Sequence, residues 1–316
     1  MKAFLEENKG IFILAVIFGI LPFILPYKAL ATEVLIFSLA VVAFDILLGF
    51  TGVMMFCQAS FFGSGAYLTG LAIIHLKTWI ILDILIAMGG VAILAFVIGY
   101  LSTLKKGSYS VLLTLAFNEL IFFIAYQWKG ITGGDDGLRG IKRPPLEIPG
   151  IVSVSLNSET SFYFFVLFWF LLSFYIIKRI IESPFGKILM AIRENEARAE
   201  SVGYNTRLFK LVAFEITGLF MGLAGSLHVL LMNFAHISNV AIDTSGNILM
   251  MELIGGIGTL FGPIIGAFII VLASEKASAL WARWPLILGA IFICFVLFAR
   301  GGIWGAIASI SRKIKR

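Results

Sequence analysis

Long apolar stretches separated by short polar breaks follow one another along nearly the whole chain. A helix needs about 20 apolar residues to cross the hydrocarbon core of a bilayer, and most of the stretches approach that length. The pattern therefore predicts an all-α membrane protein with about ten transmembrane or partly spanning helices. Their expected bounds are 11–27, 33–49, 55–76, 80–104, 109–128, 161–180, 207–232, 246–259, 262–281 and 284–300.

The eighth stretch, 246–259, differs from the others because it is too short. At a rise of about 1.5 Å per residue it cannot cross a core about 30 Å thick. We expect a broken or re-entrant helix there, which is tolerated only where protein or water surrounds it.

Composition agrees with this pattern. Apolar residues make up 60% of the chain, charged residues 13%, and the mean hydropathy is +1.01. Soluble domains carry about 25% charged residues, so a soluble protein is excluded. We treat residues 1–316 as a single transmembrane domain.

The net charge of +6 raises the question of nucleic-acid binding. The Lys and Arg residues, however, gather at 105–106, at 178–210 and at 300–316, whereas the charges of 129–160 are balanced. Retention of basic loops in the cytoplasm produces such a distribution. It predicts a multi-pass protein of the cell inner membrane, with both termini and the loop 182–206 cytoplasmic, the loop 129–160 extracytoplasmic, and no nucleic-acid partner.

The first apolar stretch has two interpretations. Lys2 and Lys9 precede it, and Ala29-Leu30-Ala31 resembles a signal-peptidase site. Because many further spans follow, we expect the stretch to be retained as the first membrane helix.

Two glycine-rich breaks lie in opposite halves of the chain, at 49–65 and at 255–266. Paired interruptions of this kind point to a transport pathway near the membrane midplane. The alternative is that the glycines only let helices pack closely, as the spacing of Gly218 and Gly222 suggests.

The polar loop 182–206 has signals for two short helices. Pro184 can begin one with an apolar stripe, and Asn195 can cap a second, 196–202, which Gly203 would end. Asn205 can cap the next span. Such a pair suits a groove on a soluble partner, although a solvated loop that only fixes topology is the alternative.

No motif for chemistry is found. Gly186-Lys187 is followed by Ile188, so there is no phosphate-binding loop, and His75, His228 and His236 lack metal-ligand spacing. We expect no catalytic residues, no metal and no cofactor, and any ATP hydrolysis would take place on another chain.

In combination and order, several segments resemble the LivM-type permeases of branched-chain amino-acid ABC importers, and the resemblance covers nearly the whole chain. These segments are 113–117, 133–138, 183–187, 191–197, 199–203, 222–225 and 255–263.

The resemblance implies a type II importer fold, as in vitamin-B12-type importers, with ABC ATPase subunits, a second LivH-type permease chain and a periplasmic substrate-binding protein as partners. It implies contact with the ATPase through Glu194, Asn195, Glu196, Ala197, Arg198, Ala199 and Gly203. Urea and short-chain amide permeases share this architecture, so the substrate stays open between them and branched-chain amino acids.

Acidic residues inside the predicted spans are not explained by the resemblance. They are Asp45, Glu119, Glu215 and Glu252. Intramembrane carboxylates are functional candidates by default, and an ion-coupled secondary transporter is the alternative they support. We place Gln58, Ser60, Asn118 and Glu119 along the pathway, and Asp135, Asp136 and Arg139 on a docking surface for the binding protein.

Overall fold

The computed structural model describes residues 9–76, 78–105, 107–148, 152–280, 283–298 and 302–305. The first half is built from five long helices. They are α1 (Lys9–Ile24), α2 (Lys28–Asp45), α3 (Gln58–His75), α4 (Ile80–Ser102) and α5 (Ser108–Gln127). A π-helical turn, Ile46–Thr51, continues α2, and extended chain then leads to α3.

The loop after α5 contains a short helix α6 (Lys129–Thr132), a 3-10 turn (Gly134–Asp136) and an antiparallel hairpin of β1 (Leu146–Ile148) and β2 (Val152–Val154). The hairpin is a small departure from the all-α prediction. The pairing Leu146↔Val154 sets its register.

The second half begins with α7 (Glu159–Glu182), followed by the short helices α8 (Pro184–Glu194) and α9 (Glu196–Ser201). The remaining elements are α10 (Thr206–Met232), a 3-10 turn (Ile237–Val240), α11 (Ile242–Gly255), α12 (Gly262–Leu280) and α13 (Trp284–Phe298). Within the described ranges, six of these helical segments are long and apolar enough to cross a membrane.

Helix α10 lies at the centre and packs against α2, α3 and α4. Small residues allow the close approach: Gly222 meets Gly65 of α3 and Val91 of α4, and Gly218 meets Ala95. A side chain at Gly65 would overlap the backbone of Gly222. The packing interpretation of Gly218 and Gly222 is therefore confirmed.

Helix α11 starts deep in the membrane. Asn118 lies ten residues after Ser108, the first residue of α5, and thus about 15 Å along a helix that crosses the bilayer. The Oγ atom of Ser245, in the first turn of α11, is 3.4 Å from Oδ1 of Asn118. With 14 residues, α11 is about 21 Å long. It therefore runs from the middle of the membrane to one side of it, as a partly spanning helix.

Some predicted features lie outside the described residues. They are Lys2, Lys106, the C-terminal basic residues of 312–316, and Arg300 at the end of the last predicted span.

Candidate functional site

The loop 182–206 folds as its sequence predicts, into two short helices. Helix α8 begins with Pro184 in its first turn, and α9 begins after Asn195, whose side chain accepts a hydrogen bond from the Arg198 backbone N–H at 2.9 Å. The side chain of Asn205 caps α10 in the same way, at 3.2 Å from the Leu208 nitrogen. These caps satisfy helix N–H groups that would otherwise have no partner.

Most of the residues predicted to contact the ATPase lie on the exposed surface of α8 and α9. Glu194, Asn195, Ala197, Arg198 and Gly203 are exposed, Glu196 is half-buried, and Ala199 is buried beneath α9. Gly203 has φ +99, with nothing near its Cα, so it ends α9 through its backbone conformation rather than through close packing.

Glu196 fastens α9 to α10. Its carboxylate lies 2.7 Å from the Lys210 ammonium and accepts a hydrogen bond from the Thr206 hydroxyl at 3.2 Å. The Thr206 hydroxyl also lies 2.9 Å from the Glu200 carboxylate. The short helix is therefore held at a fixed angle to the long central helix.

Arg193 joins α8 to the first glycine-rich break. Its guanidinium donates a hydrogen bond to the Gly49 carbonyl oxygen in the π-helical turn. Its backbone and aliphatic carbons pass so close to Gly52 that a Cβ there would lie 3.4 Å from the Arg193 Cα. A Cβ at Gly258 would meet the same guanidinium. The sequence signals did not identify Arg193 as a link between these segments.

Asp45 joins the first break to the second. Its carboxylate accepts hydrogen bonds from the Gly258 N–H at 2.6 Å and the Leu260 N–H at 3.3 Å. The carboxyl group of Glu252 interacts with that of Asp45, and both side chains are 0% exposed. The two glycine-rich breaks, which the sequence places in opposite halves, therefore meet beside α8.

The four predicted pathway residues separate into two groups. Gln58, Ser60 and Asn118 are fully buried, and Asn118 Oδ1 accepts from the Ser60 N–H and hydroxyl at 3.2 and 3.1 Å. Glu119 instead points outward from α5, with no hydrogen bond or ion pair to any described residue. Ser60 and Asn118 hold α3 against α5, whereas Gln58 donates to the Met55 carbonyl oxygen at 2.9 Å. Of the four, only Glu119 offers its side chain to a partner or to water.

The predicted docking residues of the loop 129–160 lie on its surface. Asp135, Asp136 and Arg139 are exposed, and Arg139 pairs with Asp136 at 3.3 Å. The loop is anchored by a residue whose role the sequence did not reveal. Arg143 donates to the carbonyl oxygens of Leu230, Leu156 and Leu231 at 2.9, 2.9 and 3.3 Å.

The Arg143 guanidinium also lies 3.8 Å from the centre of the Phe162 ring. Its burial lowers the pKa of Arg143, and nearby Glu159 opposes that shift. The loop is thereby tied to the ends of α7 and α10, which gives Asp136 and Arg139 a fixed platform.

The described residues contain no group of histidine, cysteine and acidic side chains that could hold a metal ion. What they contain is a bundle of apolar helices with a partly spanning helix, two interrupted segments in contact, and a polar helical pair fastened to both. This arrangement defines a multi-pass membrane transport protein of the permease class.

Comparison with known proteins identifies the family. Residues 27–299 match the model of the family described as "Branched-chain amino acid transport system / permease component". The chain belongs to this family.

Its relatives include the high-affinity branched-chain amino acid transport system permease protein LivM of Escherichia coli, 25% identical over 87% of this chain and 69% of that protein. LivM of Salmonella typhimurium is 24% identical over the same shares. A probable LivM of Methanocaldococcus jannaschii is 28% identical over 57% of this chain and 52% of its own length. No solved structure matches the chain.

Proposed function

We propose that this chain forms half of the translocation pathway for branched-chain amino acids in an ATP-driven importer of the cell inner membrane. The observation that carries the proposal is the exposed helical pair α8–α9, which is braced against α10 by Glu196 and Lys210 and against the glycine-rich breaks by Arg193. A loop that only fixed topology would need neither brace.

The partners follow from family membership and from this surface. Separate ABC ATPase subunits dock on the exposed side of α8–α9, where Glu194, Asn195, Glu196, Ala197, Arg198, Ala199 and Gly203 form or support the contact. A LivH-type second permease completes the pathway, and a periplasmic binding protein delivers substrate to the loop of Asp135, Asp136 and Arg139. The spanning and partly spanning helices then form a type II importer permease with both termini in the cytoplasm.

Helix α5 is the side of this chain that faces the second permease. Its middle carries the exposed carboxylate of Glu119, and a carboxylate facing lipid at that depth would cost several kcal/mol. Water or a partner chain must therefore cover this face. Behind it, the buried cluster of Ser60, Asn118 and Ser245 holds α3 and α11 in place.

In this mechanism, closure of the ATPase pair displaces α8 and α9. Helix α8 follows α7 directly and α9 is fastened to α10, so both long helices tilt with them. The pathway between the two permease chains then opens alternately to the two sides by rigid-body movement.

The test is a pull-down from detergent-solubilised membranes that contain the full set of subunits. Three variants are compared with the wild type: a chain lacking Glu194–Gly203, Gly203→Val, and Gly140→Val. Gly140 is exposed in the loop 129–160 and has φ +86° with nothing within 4 Å of an added Cβ, so its substitution introduces comparable backbone strain away from α8 and α9.

We expect the wild type and Gly140→Val to capture the ATPase subunits and the other two variants to lose them while still inserting into the membrane. If no ATPase accompanies the wild type, the importer assignment fails, and the intramembrane carboxylates would support an ion-coupled transporter. If the wild type does capture ATPase subunits, the substrate class is decided by testing whether leucine, urea or a short amide competes for uptake.

A further inference from the structure

Three parts of the chain that are far apart in sequence meet in one place. They are the C-terminal end of α8, the π-helical turn that contains Gly49, and the segment around Gly258. The side chains of Arg193, Asp45 and Glu252 lie where these parts meet.

Asp45 holds the second break in place. Gly258 lies in a segment where Gly256, Gly258 and Leu260 all have positive φ, so its backbone is not part of a regular helix. The two N–H groups donated to Asp45 would otherwise lack partners inside the protein. Charge-assisted hydrogen bonds are about twice as strong as neutral ones, so this carboxylate fixes an otherwise irregular segment.

Arg193 holds the first break and reaches the second. It belongs to α8, yet its guanidinium bonds to Gly49 and would touch a Cβ placed on Gly258. A Cβ on Gly49 would overlap Oδ1 of Asp45 and the backbone nitrogen of Gly258. The two segments are therefore tightly packed, because they can meet only if residues 49 and 258 are both glycine.

Glu252 completes the charge balance. It lies on α11 a few residues before the second break, it is fully buried, and neither carboxyl oxygen has a hydrogen-bond donor among the described residues. Two buried carboxylates in contact cannot both stay ionised without compensation. Arg193 brings a positive charge to both breaks, where it bonds to Gly49 and lies beside Gly258. The Gly258 and Leu260 N–H groups donate to Asp45 and not to Glu252, so a negative charge is better stabilised on Asp45 than on Glu252.

We propose that Arg193 is the positioning residue through which movement of α8 reaches both glycine-rich breaks at once. When α8 is displaced, the guanidinium pulls on Gly49, and Asp45 carries the displacement to Gly258 and to α11. The C-terminal end of α11, next to the second break, then moves together with α2. This inference rests on the proposed function, because it requires an ATPase that displaces α8.

Loss of the Arg193 guanidinium should therefore lower transport without lowering ATP hydrolysis. The ATPase would still dock on the exposed side of α8–α9 and still hydrolyse ATP, but its movement would no longer reach the glycine-rich breaks. A residue with a purely structural role would lower assembly, hydrolysis and uptake together.

The experiment uses the complete complex, reconstituted into liposomes with its binding protein. Uptake of radiolabelled leucine and ATP hydrolysis are measured on the same vesicles, for wild type, Arg193→Met, Arg193→Lys and Lys105→Met. Methionine keeps an apolar side chain without the guanidinium, and lysine keeps a positive charge without the planar guanidinium. Lys105 is an exposed cation on the loop between α4 and α5 and serves as the control.

We expect Arg193→Met to assemble normally and to lower the leucine transported per ATP by about tenfold, the range of a typical coupling free energy. Arg193→Lys should recover part of this loss, and Lys105→Met should match the wild type.

Unchanged leucine per ATP in Arg193→Met would overturn the inference. So would loss of ATPase binding in that variant, because Arg193 would then act in docking and not in transmission. Failure of the wild type to bind any ATPase is a different result, since it would overturn the proposed function itself.

Discussion

The carboxylate of Asp45 accepts a hydrogen bond from the backbone N–H of Gly258 at 2.6 Å, across 213 residues of sequence. Asp45 ends the second helix of the chain, and Gly258 lies in the break after α11. A single buried carboxylate thereby fixes the geometry of two interrupted segments from opposite halves of the protein.

Asp45 and Glu252 should respond differently to amide substitution. Glu252→Gln keeps a neutral group that can donate to Asp45, so uptake should stay close to wild type. Asp45→Asn should lower uptake strongly, because it removes the charge that Gly258 and Leu260 bind and Arg193 offsets. Leucine uptake by the reconstituted complex measures both variants. If Glu252→Gln lowered uptake more than Asp45→Asn, the negative charge would be needed on Glu252 instead of on Asp45.

Gly49→Ala should destabilise the chain, because the added methyl group overlaps Asp45 and Gly258 in a fully packed region. Overpacking of this kind costs about 1–3 kcal/mol. Gly89→Ala is the matched control, since nothing lies within 4 Å of its added Cβ. Thermal unfolding in detergent compares the two. Equal stability of both variants would show that the breaks are not in close contact.

Glu196 and Lys210 should be energetically coupled. Glu196→Lys places two cations side by side and should weaken ATPase capture, whereas the exchanged pair Glu196→Lys with Lys210→Glu should recover part of it. The two side chains are 27% and 15% exposed, so we expect a coupling energy of about 1 kcal/mol after allowance for solvent screening. A double-mutant cycle on the affinity for the ATPase measures this energy. If the effects of the two single substitutions simply added, Glu196 and Lys210 would not be coupled.

Glu119 should affect uptake without affecting ATPase capture. Glu119→Leu makes the exposed face of α5 uniformly apolar at mid-membrane depth. If that face lines a wet pathway, uptake falls while the complex still purifies intact. Leu120→Ala, on the neighbouring exposed position, controls for a general effect of changing this face. Normal uptake by Glu119→Leu would remove α5 from the pathway.

Arg143 should be needed for the conformation of the loop 129–160. Arg143→Met removes hydrogen bonds to three backbone carbonyl groups, and each bond to a charged group contributes about 1.5–3 kcal/mol. We expect faster proteolysis of this loop in intact membranes. Arg139→Met should leave the rate unchanged, because that side chain is exposed and pairs with a similarly exposed Asp136.

The long helices and the polar loop could be read from local sequence. Their lengths follow from the apolar stretches, and the start of α9 follows from the cap at Asn195. The π-helical turn after α2 has no comparable local signal. It exists because Gly49 must approach Asp45 and Gly258, which are placed by other parts of the chain.

The surroundings of the polar residues inside the membrane helices could not be predicted from the sequence. Sequence alone grouped Asn118 with Glu119 because they are neighbours, yet consecutive residues on a helix point in different directions, about 100° apart. Asn118 is consequently buried against Ser60, and Glu119 faces outward. Likewise, nothing local distinguishes Asp45 and Glu252 as a contacting pair.

The sequence by itself determined the membrane class, the helix positions and the two-helix loop, because hydrophobic length, caps and charge bias act over a few neighbouring residues. Only the tertiary structure decided which breaks meet, which carboxylates are buried, and that Arg193 joins the loop to both breaks. Those relationships depend on contacts between segments that are far apart in the sequence, and such contacts leave no periodic or spacing signal in a single chain.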